Sequence, residues 1–354
     1  MKRFKGIALV AIALLMGVVY LLPAASVNAQ SSAALSITPK KNYLIEPGKS
    51  VDDTLIIRNL DTSTALELSL RVVDFTFTDN GGTPKLFLDP DAPQTTWSLK
   101  PFTTIPESVV IPAGGTKTVK MKVAIPANHG AGSYYSAIVY SSGAPAGGGN
   151  VGLSASGVTL VFTQIPGQVT ENLNLKKLGL YDTAAQGKLD GYKFIVDKQP
   201  STIGYTLENT GNVTEAPVGS ITLKDLFGRE TKITEVNPSG SLALIGQTRT
   251  YNACIKLASQ EVDFSGGKTT ASTCVSPGLW PGYYKVSLDI FYGQNGNLTK
   301  EITGVGSFWY LPLWFVIVFL ILLAAIAITV WRLYVGIRRK LSGAQSRKAL
   351  RRRR

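Results

Sequence analysis

One stretch of this 354-residue chain constrains the rest. Between Glu301 and Arg332 there is no charged residue, and Leu311 to Val330 is 20 almost wholly apolar residues. A helix of that length, rising about 1.5 Å per residue, crosses a hydrocarbon core of roughly 30 Å. Trp309, Tyr310 and Trp314 stand at one end and Trp331 and Tyr334 at the other, where amphipathic rings mark membrane interfaces. Arg332, Arg338, Arg339 and Lys340 follow at once, so the positive-inside rule puts the C-terminus in the cytoplasm and the bulk of the chain outside. The pattern predicts a single transmembrane helix over 308–331 and a basic cytoplasmic tail over 332–354. Arg338, Arg339 and Lys340 are candidate contacts for anionic lipid, each cation near the surface being worth about 1 kcal/mol.

The other end reads as a secretory signal over 1–29. Lys2, Arg3 and Lys5 precede the uncharged apolar stretch Gly6–Leu22, Pro23 breaks it, and Val27-Asn28-Ala29 has the small-x-small form of a cleavage site. These two ends hold the whole excess of a +13 net charge: residues 1–29 carry 3 Lys or Arg and 332–354 carry 10, leaving 23 against 23 Asp and Glu between them. A basic nucleic-acid surface on the body of the chain is therefore excluded, and the tail would attract nucleic acid without sequence preference. Leu311-Pro312-Leu313-Trp314 resembles a sortase signal but lacks the Thr-Gly cleavage pair, so covalent wall anchoring is discounted.

From Ser31 to Gly306 short β-branched runs alternate with period two, as in Leu66–Val72, Thr118–Val123, Ser220–Lys224 and Lys285–Ile290. Such alternation buries one face of an antiparallel sheet. Pro47-Gly48, Asn80-Gly81-Gly82, Ala113-Gly114-Gly115 and Asn295-Gly296 punctuate the runs as turns. A weak repeat accompanies them. Gly114-Gly115-Thr116-Lys117-Thr118 is answered by Gly246-Gln247-Thr248-Arg249-Thr250, the pair Tyr134-Tyr135 by Tyr283-Tyr284, and Arg58-Asn59 by Glu208-Asn209. Asn59 to Tyr134 is 75 residues and Asn209 to Tyr283 is 74, yet the intermediate spacings differ, which implies two offsetting insertions. The expected fold is all-β: two tandem immunoglobulin-like β-sandwiches, 30–168 and 169–307, followed by the transmembrane α-helix. The Gly-, Ala- and Ser-rich stretch 141–157 is expected as a hairpin loop before the last strand of the first sandwich.

An ordered series of residues carries a family resemblance. It runs Ser36-Ile37-Thr38-Pro39, Glu46-Pro47-Gly48-Lys49-Ser50, Ile57-Arg58-Asn59, Asp74-Phe75, Asp79–Gly82, Trp97, Ile111–Gly114, Ile125-Pro126-Ala127 and Gly132–Ile138. Over residues 34–166 this resembles the N-terminal domain of the WxL-interacting protein family of Gram-positive surface proteins. The resemblance implies a peptidoglycan-binding immunoglobulin-like domain, a second such domain that binds a surface protein partner, one transmembrane helix and non-catalytic attachment at the cell surface.

Residues that bear chemistry are sparse. His129, in Pro126–Gly130, is the only histidine, too few for a His-rich metal site or a nucleophile–histidine pair. Asp74, Asp79, Asp89 and Asp91 share one segment, but a glycosidase needs two carboxylates about 5 to 10 Å apart, and Asp is equally a turn residue. No nucleotide-binding glycine pattern occurs, so neither catalytic residues nor a cofactor are expected. Two cysteines in an exported chain, Cys254 and Cys274, read as a disulfide worth on the order of 3 kcal/mol; free thiols and an intermolecular link are the alternatives. Flat rings that stack on sugars are the binding candidates: Trp97, Phe102, Tyr134, Tyr135, Trp280, Tyr283 and Tyr284. Trp97 and Trp280 lie in turn-rich loops, and alternation sends one ring of each tyrosine pair to the core. A stalk or scaffold without polymer affinity is the rival reading, and an envelope hydrolase a third.

Overall fold

A computed structural model describes residues 35–77, 82–142, 155–185, 188–264, 267–293 and 299–351. The signal over 1–29, Asp79 and most of the stretch 141–157 lie outside them; Ser141, Ser142 and Ala155–Gly157 belong to strands.

The described residues are mostly β. Residues 35–165 supply one pair of sheets. Its four-stranded sheet runs in the order Leu35–Ile37, Ser50–Asn59, Thr116–Ala124, Thr103–Thr104; its five-stranded sheet runs Lys40–Leu44, Ala155–Ile165, Gly132–Ser142, Leu66–Val73, Ser108–Ile111. Residues 173–310 supply a second pair. Its four-stranded sheet is Tyr192–Lys193, Leu173–Tyr181, Thr202–Asn209, Thr248–Cys254, and its five-stranded sheet is Ile195–Val196, Lys300–Tyr310, Gly282–Tyr292, Val218–Asp225, Glu230–Ile233. In both pairs an early short strand, Lys40–Leu44 or Ile195–Val196, runs parallel to the last strand. All other pairings within the sheets are antiparallel. This is the strand order of an immunoglobulin-like sandwich.

The weak repeat has a structural counterpart. Asn59 and Asn209 each end the same strand of their sheet pair, fully buried. The Asn59 side-chain amide donates to the carbonyls of Thr64 (2.8 Å) and Pro112 (3.2 Å). That of Asn209 donates to Val213 (2.7 Å) and Ala243 (2.9 Å). Each side-chain oxygen accepts the backbone N–H two residues on. The opposing turns pass through Gly114 (φ 62°) and Gly246 (φ 68°), left-handed positions that favour glycine. The tyrosine pairs are offset by one. Gly132 and Gly282 both open 11-residue strands, so Tyr134 answers to Tyr284, and the counterpart of Tyr135 is Lys285.

Each sheet pair has its own apolar core, one including Leu55, Ile57, Leu68, Ile111, Met121 and Ile138, the other Ile203, Tyr205, Ile221, Val286, Leu288 and Phe308. A third cluster draws on both halves: Val73, Phe75, Tyr135, Ala137, Val139 and Phe162 pack with Leu244, and Trp97, Leu242 and Ile245 close its edge.

A single helix, Leu313–Arg351, follows, and its segment Leu313–Arg338 is long and apolar enough to cross a membrane. The expected start at residue 308 is corrected. Residues 308–310 end the strand Lys300–Tyr310, and Phe308 and Tyr310 point into the second core. Their apolar character is that of an inward-facing strand residue, not of a lipid-facing helix. The boundary at 331 is also not structural, because the helix continues unbroken to Arg351.

Candidate binding surfaces

The structure sorts the sequence candidates into three places. Phe102 and Tyr134 come together on the first sheet pair, joined by His129. The imidazole stands edge-on between the rings, 4.7 Å from Phe102 and 4.4 Å from Tyr134. The Tyr134 hydroxyl donates to the Gly130 carbonyl at 3.2 Å, and His129 Nδ1 lies 3.1 Å from the same oxygen. His129 is half-buried. Sequence reasoning weighed it only as a ligand or a base; its aromatic neighbours come from a 3₁₀ turn at Lys100–Phe102 and from the strand Gly132–Ser142.

Beside this trio, Thr103–Thr104 forms a strand of only two residues that pairs with Val123 and Lys122. Among the described residues, the rest of the strand Thr116–Ala124 has no paired strand on that side. A groove of about 730 Å³ opens there, lined by Asp52, Asp53, Thr54, Thr104, Lys120 and Lys122 together with Ile105, Pro106 and Met121. Asp53 accepts hydrogen bonds from Lys41 Nζ (2.8 Å), the Tyr43 hydroxyl (2.5 Å) and the Thr54 N–H (2.7 Å). The bonds from Lys41 and Tyr43 pull its carboxyl down to about 2, while burial and that carboxylate push the Tyr43 hydroxyl up. Asp53 is thus held as an acceptor. Lys117, Lys120 and Lys122 project outward from the open edge strand, a charge pattern that discourages pairing with another strand.

Trp97 is not a free platform. It is half-buried at the third cluster and stacks on Tyr135 at 5.8 Å and 26°. Its carbonyl accepts the Tyr135 N–H at 2.9 Å. Asp74 holds its loop: the buried carboxylate accepts from Thr95 N (2.9 Å), Thr95 Oγ1 (2.9 Å), Ser98 Oγ (2.5 Å) and Ser136 Oγ (3.2 Å). Asp74 is therefore a structural acceptor within the fold, and Asp89 accepts the Asp91 N–H at 3.0 Å in an ordinary turn. Across the same junction Ser133 N donates to the Asn212 carbonyl (3.0 Å), and Gln247 Nε2 donates to Thr76 Oγ1 and to the Phe77 carbonyl (2.7 Å).

Trp280 lies apart from the others, 65% exposed on the second sheet pair. The Arg229 guanidinium sits 5.5 Å from its ring and 5.7 Å from that of Phe227, and pairs with Asp225 at 2.6 Å. Of the second tyrosine pair, Tyr284 is buried in the core and stacks on Phe308 at 5.3 Å; half-buried Tyr283 packs beside Trp309 at 5.3 Å. Cys254 and Cys274 are joined, Cα atoms 5.2 Å apart, at the base of a hairpin formed by Leu257–Phe264 and Gly267–Cys274. Of the basic lipid candidates, Arg338 is exposed at the end of the apolar helix segment, while the side chains of Arg339 and Lys340 lie outside the described residues.

No family model and no curated protein matches the sequence. Among solved structures the chain is similar to the class 5 fimbriae chaperone CfaA, at 12% identity and TM-score 0.34 over 79% of this chain and 100% of that one. It is also similar to the E. coli chaperone DraB, at 13% identity and TM-score 0.30 over 79% and 97%. The Pseudomonas aeruginosa CupB2 chaperone gives 9% identity and TM-score 0.31 over 77% and 100%. At TM-scores this low the likeness assigns neither partner nor activity.

Proposed function

We propose that this is a non-enzymatic, membrane-anchored cell-surface protein whose tandem immunoglobulin-like domains bind cell-wall peptidoglycan and a surface partner protein. In this reading residues 1–29 are removed on export, the helix spans the cell membrane, and the basic tail stays in the cytoplasm. The observation that carries the polymer assignment is the groove on the first sheet pair. It offers carboxylate, hydroxyl and ammonium groups from Asp53, Thr54, Thr104, Lys120 and Lys122, and the strand Thr103–Thr104 at its side follows directly on Phe102, whose ring meets His129, which in turn meets Tyr134. Sugar hydroxyls and peptide carboxylates need the first set, and the apolar faces of sugar rings need the second.

Co-sedimentation of residues 30–310 with purified sacculi tests this reading. Saturable, salt-tolerant pelleting that falls at least tenfold on Phe102→Ala with Tyr134→Ala is the expected result. No pelleting by the unaltered protein removes the polymer assignment. A rigid stalk is the second reading, and the apolar junction around Tyr135 and Leu244 favours it: a spacer needs a stiff joint between its parts and no ligand groove.

A further inference from the structure

We propose that the end of the second sheet pair nearest the helix rests on the membrane itself, with Leu226, Phe227 and Trp280 seated in the lipid interface. This rests on the reading that Leu313–Arg338 spans a bilayer. Strand Lys300–Tyr310 enters the helix through Leu311 and Pro312 alone. Two linking residues reach at most about 3.5 Å each, so Tyr310 cannot stand more than about 10 Å from the helix start. The register shows what shares that level. Gly282 is paired with Tyr310, and Tyr284 with both Phe308 and Asp225. The hairpin tip after Asp225, which carries Leu226 and Phe227, and the loop before Gly282, which carries Trp280, therefore reach the level at which the chain leaves for the helix. On the other side of the exit strand, Ile195 is paired with Trp309.

The side chains there are unlike those of a solvated sheet end. Phe227 is 82% exposed, Leu226 64%, Trp280 65% and Ile195 60%. Apolar side chains so open at one end of a domain mark an interaction surface. Arg229, lying against both Phe227 and Trp280 and ion-paired with Asp225, makes the group amphipathic, with rings for the acyl boundary and a cation at headgroup depth. A protein partner would have to fit between this end and the bilayer, and the two-residue link leaves little room. The opposite end of strand Gly282–Tyr292 faces the first sheet pair: Gly293 shares a cavity of about 280 Å³ with Ser133 and Phe162. The first sheet pair is thereby held on the side away from the membrane.

The test uses the full chain in phospholipid nanodiscs whose lipids carry a nitroxide just below the headgroup. An environment-sensitive fluorophore is placed in turn on Phe227→Cys, on Ser63→Cys in an exposed turn of the first sheet pair, and on Leu323→Cys in the helix. Blue-shifted emission at 227, quenched several-fold more than at 63 and accompanied by quenching at 323, is the expected result. Quenching at 323 with position 227 behaving like 63 overturns this inference and leaves the spanning helix intact. No quenching at 323 overturns both.

Discussion

Two strands occupy the same place in the two sheet pairs and are buried differently. Gly282–Tyr292 alternates: Tyr284, Val286, Leu288, Ile290 and Tyr292 are buried, while Lys285 and Asp289 are exposed. Gly132–Ser142 is buried on both faces. Ile138 and Tyr140 belong to the first core, and Tyr135, Ala137 and Val139 to the cluster shared with Leu244. A strand that loses alternation is covered on both sides. Here the second cover comes from the other half of the chain. The two insertions that distinguish the halves divide the same way. The one after Val73 supplies Phe75, Phe77, Leu86 and Trp97 to the junction. The one after Cys254 forms a hairpin closed by its own disulfide.

Five substitutions break or sharpen this comparison. Leu244→Asp places a charge among the rings of the junction and should cost about 4 kcal/mol, read by urea denaturation; the exposed Asp289→Ala at the second strand should cost almost nothing. Asp74→Ala removes the acceptor for four hydrogen bonds and should cost about 3 kcal/mol, with a red shift of Trp97 emission as its loop loosens. Asn59→Ala and Asn209→Ala should each cost about 2 kcal/mol, because each removes the same set of bonds. A large inequality between them would show that the two turns are not equivalent.

The smallest effect concerns pH. Burial raises the Glu215 carboxyl from 4.5 to about 7, helped by the negative charge of Glu171 and opposed by the Gly293 N–H and by Lys300. A carboxyl whose folded pKa is raised binds more protons folded than unfolded, so its contribution is fully present below about 4.5 and is lost as pH rises through about 7. Thermal melts of the unaltered protein should fall across that window, and Glu215→Gln should flatten the slope.

Much of this was legible in the residues. The uncharged run after Glu301, the alternating strands and the matched Asn–Gly turns each act over a few neighbouring positions. The junction was harder, since residues 73–97 meet residues 242–247, and no local pattern pairs them. Its one signal was the continuous run Tyr135–Tyr140 where Tyr284–Tyr292 alternates. Trp97 stands among the binding candidates because a loop tryptophan shows nothing of the rings that cover it. The helix start was placed too early because Phe308 and Tyr310 are apolar for the sake of the sheet core. His129 was weighed by its nitrogens, whereas its neighbours meet its ring.

The central claim is that the first sheet pair is fastened to the second through the outer face of strand Gly132–Ser142. Hydrogen exchange read by mass spectrometry at rising urea reports each strand separately. In residues 30–310, peptides covering 132–142 and 282–292 should lose protection at the same urea concentration, and Leu244→Asp should separate them. Separate losses in the unaltered protein, or coincident losses in Leu244→Asp, would contradict the account.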